Sequence, residues 1–186
     1  MVYKRWVLIT IGLFVIGLGI GLVISATMPD DISRLLSEEL AYLEELGAII
    51  EPFQVTTAVF IFFKNLSVLL FSFIFSPILC LLPVLALALN GIVISLVVVI
   101  VAQEKSLGFV LAGLLPHGVF ELPAFIIGEA AALSFGAMAI MALISTEKRK
   151  LLLPNLKQNL RYLMVAGALL LPAAIIETYV TPLFLT

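Results

Sequence analysis

The sequence has little of the chemistry on which most hydrolases and disulfide-bonded secreted proteins depend. It contains one cysteine, Cys80, so no intramolecular disulfide can form. It contains one histidine, His117, and the His-Glu-x-x-His motif of zinc hydrolases is absent. No Ser-His or Cys-His pair stands beside a third orienting group. We therefore identify no catalytic constellation and predict that the protein is not an enzyme.

Charged residues are also scarce, at 12% of the 186 residues, whereas hydrophobic residues make up 63%. The mean hydropathy of +1.26 lies far above that of soluble domains, in which roughly a quarter of the residues are charged. This balance predicts an all-α, polytopic membrane protein with a single membrane domain over residues 1–186.

Five apolar runs predict five transmembrane helices, because roughly 20 apolar residues cross a bilayer. We place these spans at 6–27, 66–82, 84–102, 118–144 and 162–179. The apolar run 107–115 is too short to cross and predicts a short re-entrant or interfacial segment. In residues 31–50, apolar positions recur at three- and four-residue spacing opposite glutamates, which predicts an amphipathic helix outside the membrane.

The second span has an alternative, because Lys64 and Asn65 interrupt the apolar run 53–75. A lysine at the bilayer centre costs at least ~2.5 kcal/mol on insertion scales. Either Lys64 lies within a span and faces a cavity, or residues 53–63 are interfacial and the span begins near residue 66. The second arrangement avoids this cost, and we prefer it.

In the first span, Gly17 and Gly21 stand one helical turn apart and give the helix a small-residue face. Such a face lets another helix approach closely. The partner helix belongs either to a second copy of the chain or to the same chain. We expect a homodimer, and both contacts stay open for these glycines.

Charge is unevenly distributed along the chain. Basic residues cluster at the N-terminus and in 148–161, whereas 30–51 is acidic. The positive-inside rule therefore predicts a multi-pass protein of the plasma membrane with a cytoplasmic N-terminus. We expect membrane lipids and no nucleic acid as partners. The acidic helix lies outside, where it either docks an extracytoplasmic protein or is only solvated.

This topology predicts a polar pocket in the outer half of the membrane. The residues that share its depth are Lys64, Asn65, His117, Glu121 and Glu177. Asn90 and Glu129 fall deeper, toward the bilayer centre. Asn90, and Lys64 with Asn65, are expected to form hydrogen bonds between helices.

His117 and Glu121 lie four residues apart, so in a helix their side chains share one turn. Pro116 and Gly118 favour another arrangement, in which His117 neighbours the N-cap and Glu121 lies in the first turn. The pair either closes a helix entry structurally or binds a cation or proton, since ionisable groups inside membranes are functional by default.

The pair supplies only two metal ligands, so a closed site needs Glu177, Glu129 or the same pair from a second protomer. We name His117, Glu121 and Glu177 as candidate ligands of a divalent metal ion, and no cofactor is certain. The predicted function is cation or proton binding or transport. The alternative is a membrane scaffold for an extracytoplasmic partner.

Several motifs resemble the stage II sporulation protein M family. They are Phe-Lys-Asn-Leu at 63–66, Leu-Asn-Gly at 89–91, Leu-Pro-His-Gly-Val-Phe-Glu-Leu-Pro-Ala at 115–124 and Ile-Glu-Thr-Tyr-Val-Thr-Pro at 176–182. The resemblance implies a membrane protein of five or six helices, whose sporulating members work with secreted peptidoglycan-degrading partners during engulfment. The family pattern carries over onto Asn65, Asn90, His117, Glu121, Pro123 and Glu177. Glu129 stands where relatives often have glycine.

Overall fold

The structure is a computed structural model that describes residues 3–28 and 52–185. In these ranges the chain forms five α-helices and one 3-10 helix, without a strand. The helices are α1 (Tyr3–Thr27), α2 (Val55–Phe75), α3 (Leu81–Glu104), α4 (Leu107–Ile144), α5 (Thr146–Tyr179) and the 3-10 helix (Thr181–Phe184). All five α-helices are long and apolar enough to cross a membrane. The predicted all-α membrane fold is confirmed, while the predicted amphipathic helix 31–50 lies outside the described residues.

The second helix differs from the preferred prediction. α2 runs over Val55–Phe75 rather than 66–82, so Lys64 lies inside it. At 1.5 Å per residue, Lys64 is roughly 13 Å along the axis from Val55. Its side chain is exposed at the bundle surface, and its charge interacts with that of Glu177. A long lysine stem can bury its methylenes while the ammonium reaches a polar neighbour, which lowers the insertion cost.

The fourth and fifth helices are longer than predicted. α4 has 38 residues and joins the expected re-entrant segment 107–115 to the expected span 118–144. α5 begins at Thr146 rather than 162. Pro116 and Pro123 lie inside α4. The helix continues through them because each proline removes only one helical hydrogen bond, a loss that membrane helices tolerate. α1 and α3 lie within three residues of the predicted spans.

α4 is the central helix of the bundle. It packs against all four other α-helices, most extensively against α5. Its segment 128–134 is buried, and Ala130, Ala131 and Ala132 are fully inaccessible. Such small side chains let neighbouring helices approach closely. On the outer surface, by contrast, α1 exposes Leu8 at 68% and Val23 at 63%, as expected for side chains that contact lipid.

The glycine face of α1 packs against α3 of the same chain. A Cβ atom added to Gly17 would lie 2.5 Å from the carbonyl oxygen of Ala88, and one added to Gly91 would lie 2.6 Å from that of Phe14. Ser95 of α3 donates a hydrogen bond to the Leu18 carbonyl at 2.8 Å. Of the two contacts left open for these glycines, the structure therefore has the one within the chain.

We predict that Gly17→Ala destabilises the bundle by about 1–3 kcal/mol, because the new methyl group overlaps the α3 backbone. Thermal unfolding of the purified protein in detergent measures this change. Gly19→Ala is the matched control, since its Cβ would meet nothing within 4 Å. Equal unfolding temperatures for the two variants would contradict the close contact between α1 and α3.

Candidate cation site

Two helices bring together the three predicted metal ligands. His117 and Glu121 lie on α4 and Glu177 lies near the end of α5. One ligand atom from each residue lies within 4.8 Å of the other two. The side chains of His117 and Glu121 are 13% and 34% exposed, so the cluster is partly shielded and still reachable.

His117 and Glu121 share one turn of continuous helix. The distance from His117 Nε2 to Glu121 Oε2 is 3.6 Å. Because α4 begins ten residues before His117, the alternative that placed His117 beside an N-cap is wrong. The continuous helix sets the separation of the two side chains through its four-residue spacing.

Thr181, at the start of the 3-10 helix, is a member of the site that the sequence analysis missed. Its Oγ1 lies 3.3 Å from His117 Nδ1, on the side of the imidazole away from Glu121. When Nδ1–H donates to Thr181, the lone pair of Nε2 faces the Glu121 carboxyl group. In that tautomer Nε2 and Oε2 both present lone pairs to the space between them, and a cation there would interact favourably with both atoms. The Thr-Pro pair that ends the 176–182 motif was a usable signal.

Lys64 of α2 is the basic group beside this cluster. Glu177 interacts electrostatically with His117, Glu121 and Lys64. The start of α2 is held at the end of α5 by a hydrogen bond from the Phe53 N–H to the Thr178 carbonyl, at 3.2 Å. The site therefore combines two carboxyl groups, one imidazole and one ammonium.

The donor set suits a metal that accepts both nitrogen and oxygen ligands. Imidazole suits zinc and iron, and carboxylates suit manganese and magnesium, so a mixed set favours zinc or manganese. Neighbouring ligands of tetrahedral zinc lie roughly 3.4 Å apart, close to the 3.6 Å of the His117–Glu121 pair. The ligand atoms of all three residues lie within 4.8 Å of one another, so a small movement of the Glu177 side chain would complete a zinc site.

The other predicted pocket residues lie elsewhere or contribute less. Asn65 is half-buried beside Lys64 on α2. Asn90 is exposed on α3 and donates to the Ala86 carbonyl of its own helix at 2.8 Å, not to the neighbouring helix we expected. Glu129 is not part of the three-ligand cluster.

Glu129 instead forms a separate contact in the bundle core. It is fully buried, and its Oε2 accepts a hydrogen bond of 2.5 Å from the Ser72 hydroxyl of α2. Farther along α4, Ser134 accepts one of 3.2 Å from Nδ2 of buried Asn159 on α5. Within residues 3–28 and 52–185, Glu129 Oε1 and Asn159 Oδ1 are the buried side-chain atoms without a hydrogen-bond partner.

The sequence matches the family model of stage II sporulation protein M over residues 10–182. An uncharacterised protein of Methanocaldococcus jannaschii is 29% identical over 79 residues, which cover 42% of this chain and 44% of that protein. The chain thus spans less than half the length of this curated relative. No solved structure matches the chain.

We predict that Ser72→Ala lowers the free energy of unfolding by about 1–3 kcal/mol, because Glu129 loses its donor in a dry environment. Thermal unfolding in detergent measures the loss. Ser67→Ala is the control, since the Ser67 hydroxyl donates to the Lys64 carbonyl of its own helix. In a Glu129→Met background the effect of Ser72→Ala should shrink. An undiminished effect would show that Ser72 acts independently of Glu129.

Proposed function

Because the chain belongs to the stage II sporulation protein M family and is a multi-pass membrane protein, we propose that it binds a divalent cation inside the membrane and transports it. The observation that carries this proposal is the three-ligand cluster. His117, Glu121 and Glu177 come from two helices, and their ligand atoms lie within 4.8 Å of one another. In this function a bound proton competes with the cation for the same groups.

Lys64 gives the proposed site a way to exchange its cation. Its ammonium group interacts with Glu177 and offsets part of the carboxylate charge when no cation is bound. An entering cation takes over that role, and the lysine side chain, which is already exposed at the bundle surface, then moves away from Glu177. Exchange therefore requires movements of the Lys64 and Glu177 side chains and no change of fold.

Access supports exchange from one side of the membrane. Glu121 is 34% exposed, and the cluster lies toward the end of the bundle where α2 begins and α5 ends. The positive-inside rule assigns this end to the extracytoplasmic side, because the opposite end carries the basic residues of 148–161. The N-terminus is then cytoplasmic, and the cation enters from outside the cell.

A membrane scaffold is the second candidate function. It is favoured by the contact between His117 and Thr181, which joins α4 to the 3-10 helix. In a scaffold this contact would do no more than hold the two elements together. The sporulating members of the family work with extracytoplasmic partners, and the acidic segment 31–50 would recruit such a partner. In this function no metal ion is needed.

A homodimer is part of both proposals. The amide of Asn90 is exposed in the first half of α3 and donates one hydrogen bond within its own helix. Because an amide has two N–H donors and one acceptor, it can also bond to a second copy, which supports association. The glycine face of α1 is occupied by α3 and is not available for it. A second copy could also supply a fourth ligand to the cation.

We predict that chelator-treated protein in detergent binds Zn²⁺ or Mn²⁺. His117→Ala and Glu121→Gln each remove a ligand, so each should weaken binding by at least roughly 10–100-fold, the usual cost of losing a residue that only supports a ligand. Isothermal titration calorimetry measures the affinity. Glu104→Gln is the matched control, because Glu104 is an exposed carboxylate at the C-terminal end of α3 and does not belong to the three-ligand cluster. Flux of the same ions into liposomes measures transport.

The outcomes separate the two functions. Metal binding that is lost in His117→Ala and Glu121→Gln, with unfolding temperatures retained, supports the cation site. Absence of metal binding in the unaltered chain, combined with a lower unfolding temperature for both variants, contradicts it and supports the scaffold. Binding without flux would retain the site and reject transport.

We further predict that Thr181→Val weakens metal binding by roughly 10–100-fold, because the hydroxyl group orients His117 and fixes its tautomer. Valine keeps the shape of the side chain and removes its hydrogen bond. Thr178→Val is the control, since Thr178 donates to the Ala174 carbonyl within α5. Equal metal affinities for Thr181→Val and the unaltered chain would exclude this role.

A further inference from the structure

Arg149 is held rigidly at the end of the bundle opposite the cation site. Its Nε donates to the Ala142 carbonyl at 2.9 Å and its Nη2 to the Leu143 carbonyl at 3.4 Å. The last carbonyls of a helix have no partner within the helix, so Arg149 caps the C-terminus of α4. A guanidinium has five N–H donors, and these contacts leave roughly three for another acceptor.

An apolar cleft opens beside this fixed cation. Its volume is about 310 Å³, and it lies between the link after α2, the end of α4 and the start of α5. The lining residues are Pro77, Ala139, Ala142, Leu143, Arg149 and Leu152. Arg149 is the one charged residue among those that line it. A ligand that fits both parts is therefore amphiphilic, with a hydrocarbon portion and an anionic group.

The surroundings match the boundary between hydrocarbon and water. Leu143 and Ile144 are 75% and 86% exposed, as expected for side chains in contact with lipid. Lys148 and Lys150 are exposed on either side of Arg149. This end of the bundle carries a net positive charge, because residues 146–161 contain five basic residues and one acidic residue. Basic pockets between transmembrane helices at this level bind anionic lipid head groups.

We propose that this cleft binds one anionic phospholipid, with its phosphate on Arg149 and one hydrocarbon chain in the cleft. Lys148 and Lys150 contribute to the preference for an anionic head group. Free phosphate would interact with Arg149 and the two lysines but would leave the apolar walls of the cleft uncovered. A phospholipid matches both the positive charge and the apolar walls. The inference does not depend on the proposed cation site, which lies at the other end of α4.

The test uses the full chain in nanodiscs that contain equal amounts of phosphatidylglycerol and phosphatidylcholine. Native mass spectrometry counts the lipids that stay bound after release from the nanodisc. We expect retained phosphatidylglycerol, and a loss of about fivefold in Arg149→Gln, the equivalent of about 1 kcal/mol for one basic residue. Ala139→Leu should also release the lipid, because leucine fills the cleft without changing any charge.

Two controls keep the result interpretable. Lys157→Gln removes an exposed basic residue of α5 that does not line the cleft, and it should retain the lipid. Arg149→Gln also removes a helix cap, so Ala139→Leu decides the matter if Arg149→Gln unfolds. Retention of phosphatidylglycerol by Ala139→Leu would overturn the proposal. Equal retention of the two lipids, or full displacement by inorganic phosphate, would overturn it as well.

Discussion

A polar side chain inside a bilayer has no water to solvate it, so it must find its partners within the protein. This constraint shapes the packing around α4, which carries polar residues toward two of its neighbours, α2 and α5. Glu121 meets Glu177 of α5, Glu129 meets Ser72 of α2, and Ser134 meets Asn159 of α5. Each contact joins residues far apart in sequence. The arrangement of helices is thus set by polar pairing as well as by apolar packing. Polar pairing matters here because lipid tails are as apolar as the side chains, so no hydrophobic force selects the helix partners.

The polar contacts fall into two kinds that differ in exposure. Glu129 is fully buried and held by a neutral serine, so nothing larger than a proton can reach it without a change in packing. His117 and Glu121 are 13% and 34% exposed, and the ammonium group of Lys64 lies beside the cluster. Burial favours a structural role because it prevents exchange, whereas partial exposure permits exchange with the aqueous phase. The same helix therefore carries a structural contact and a site suited to exchange.

Apolar run lengths were sufficient to predict five helices, because the thickness of the bilayer fixes how long each must be. They were not sufficient to place the second helix. The free-energy cost of inserting Lys64 was judged without the carboxyl group of Glu177, which interacts with Lys64 but lies 113 residues later in the sequence. The prediction that a short segment 107–115 precedes a separate span was wrong for the same reason. It considered only the local sequence, whereas α4 continues through Pro116 and Pro123 because neighbouring helices stabilise it. The four-residue spacing did predict that His117 and Glu121 lie together. The role of Ser72 could not be predicted, because it depends on a contact between separate helices. Thr181 lies within the 176–182 motif, but its contact with His117 also depends on the fold.

The carboxyl groups of the bundle also differ in their relation to the motifs that resemble the family. His117, Glu121 and Glu177 lie within the motifs through which this sequence resembles the family, and the fold brings them together. Glu129 lies outside those motifs, and its carboxyl group accepts a hydrogen bond from Ser72 of α2 in the bundle core. The members of the three-ligand cluster lie on α4 and α5, which share the most extensive contact in the bundle. The packing of these two helices therefore sets the separation of the three side chains.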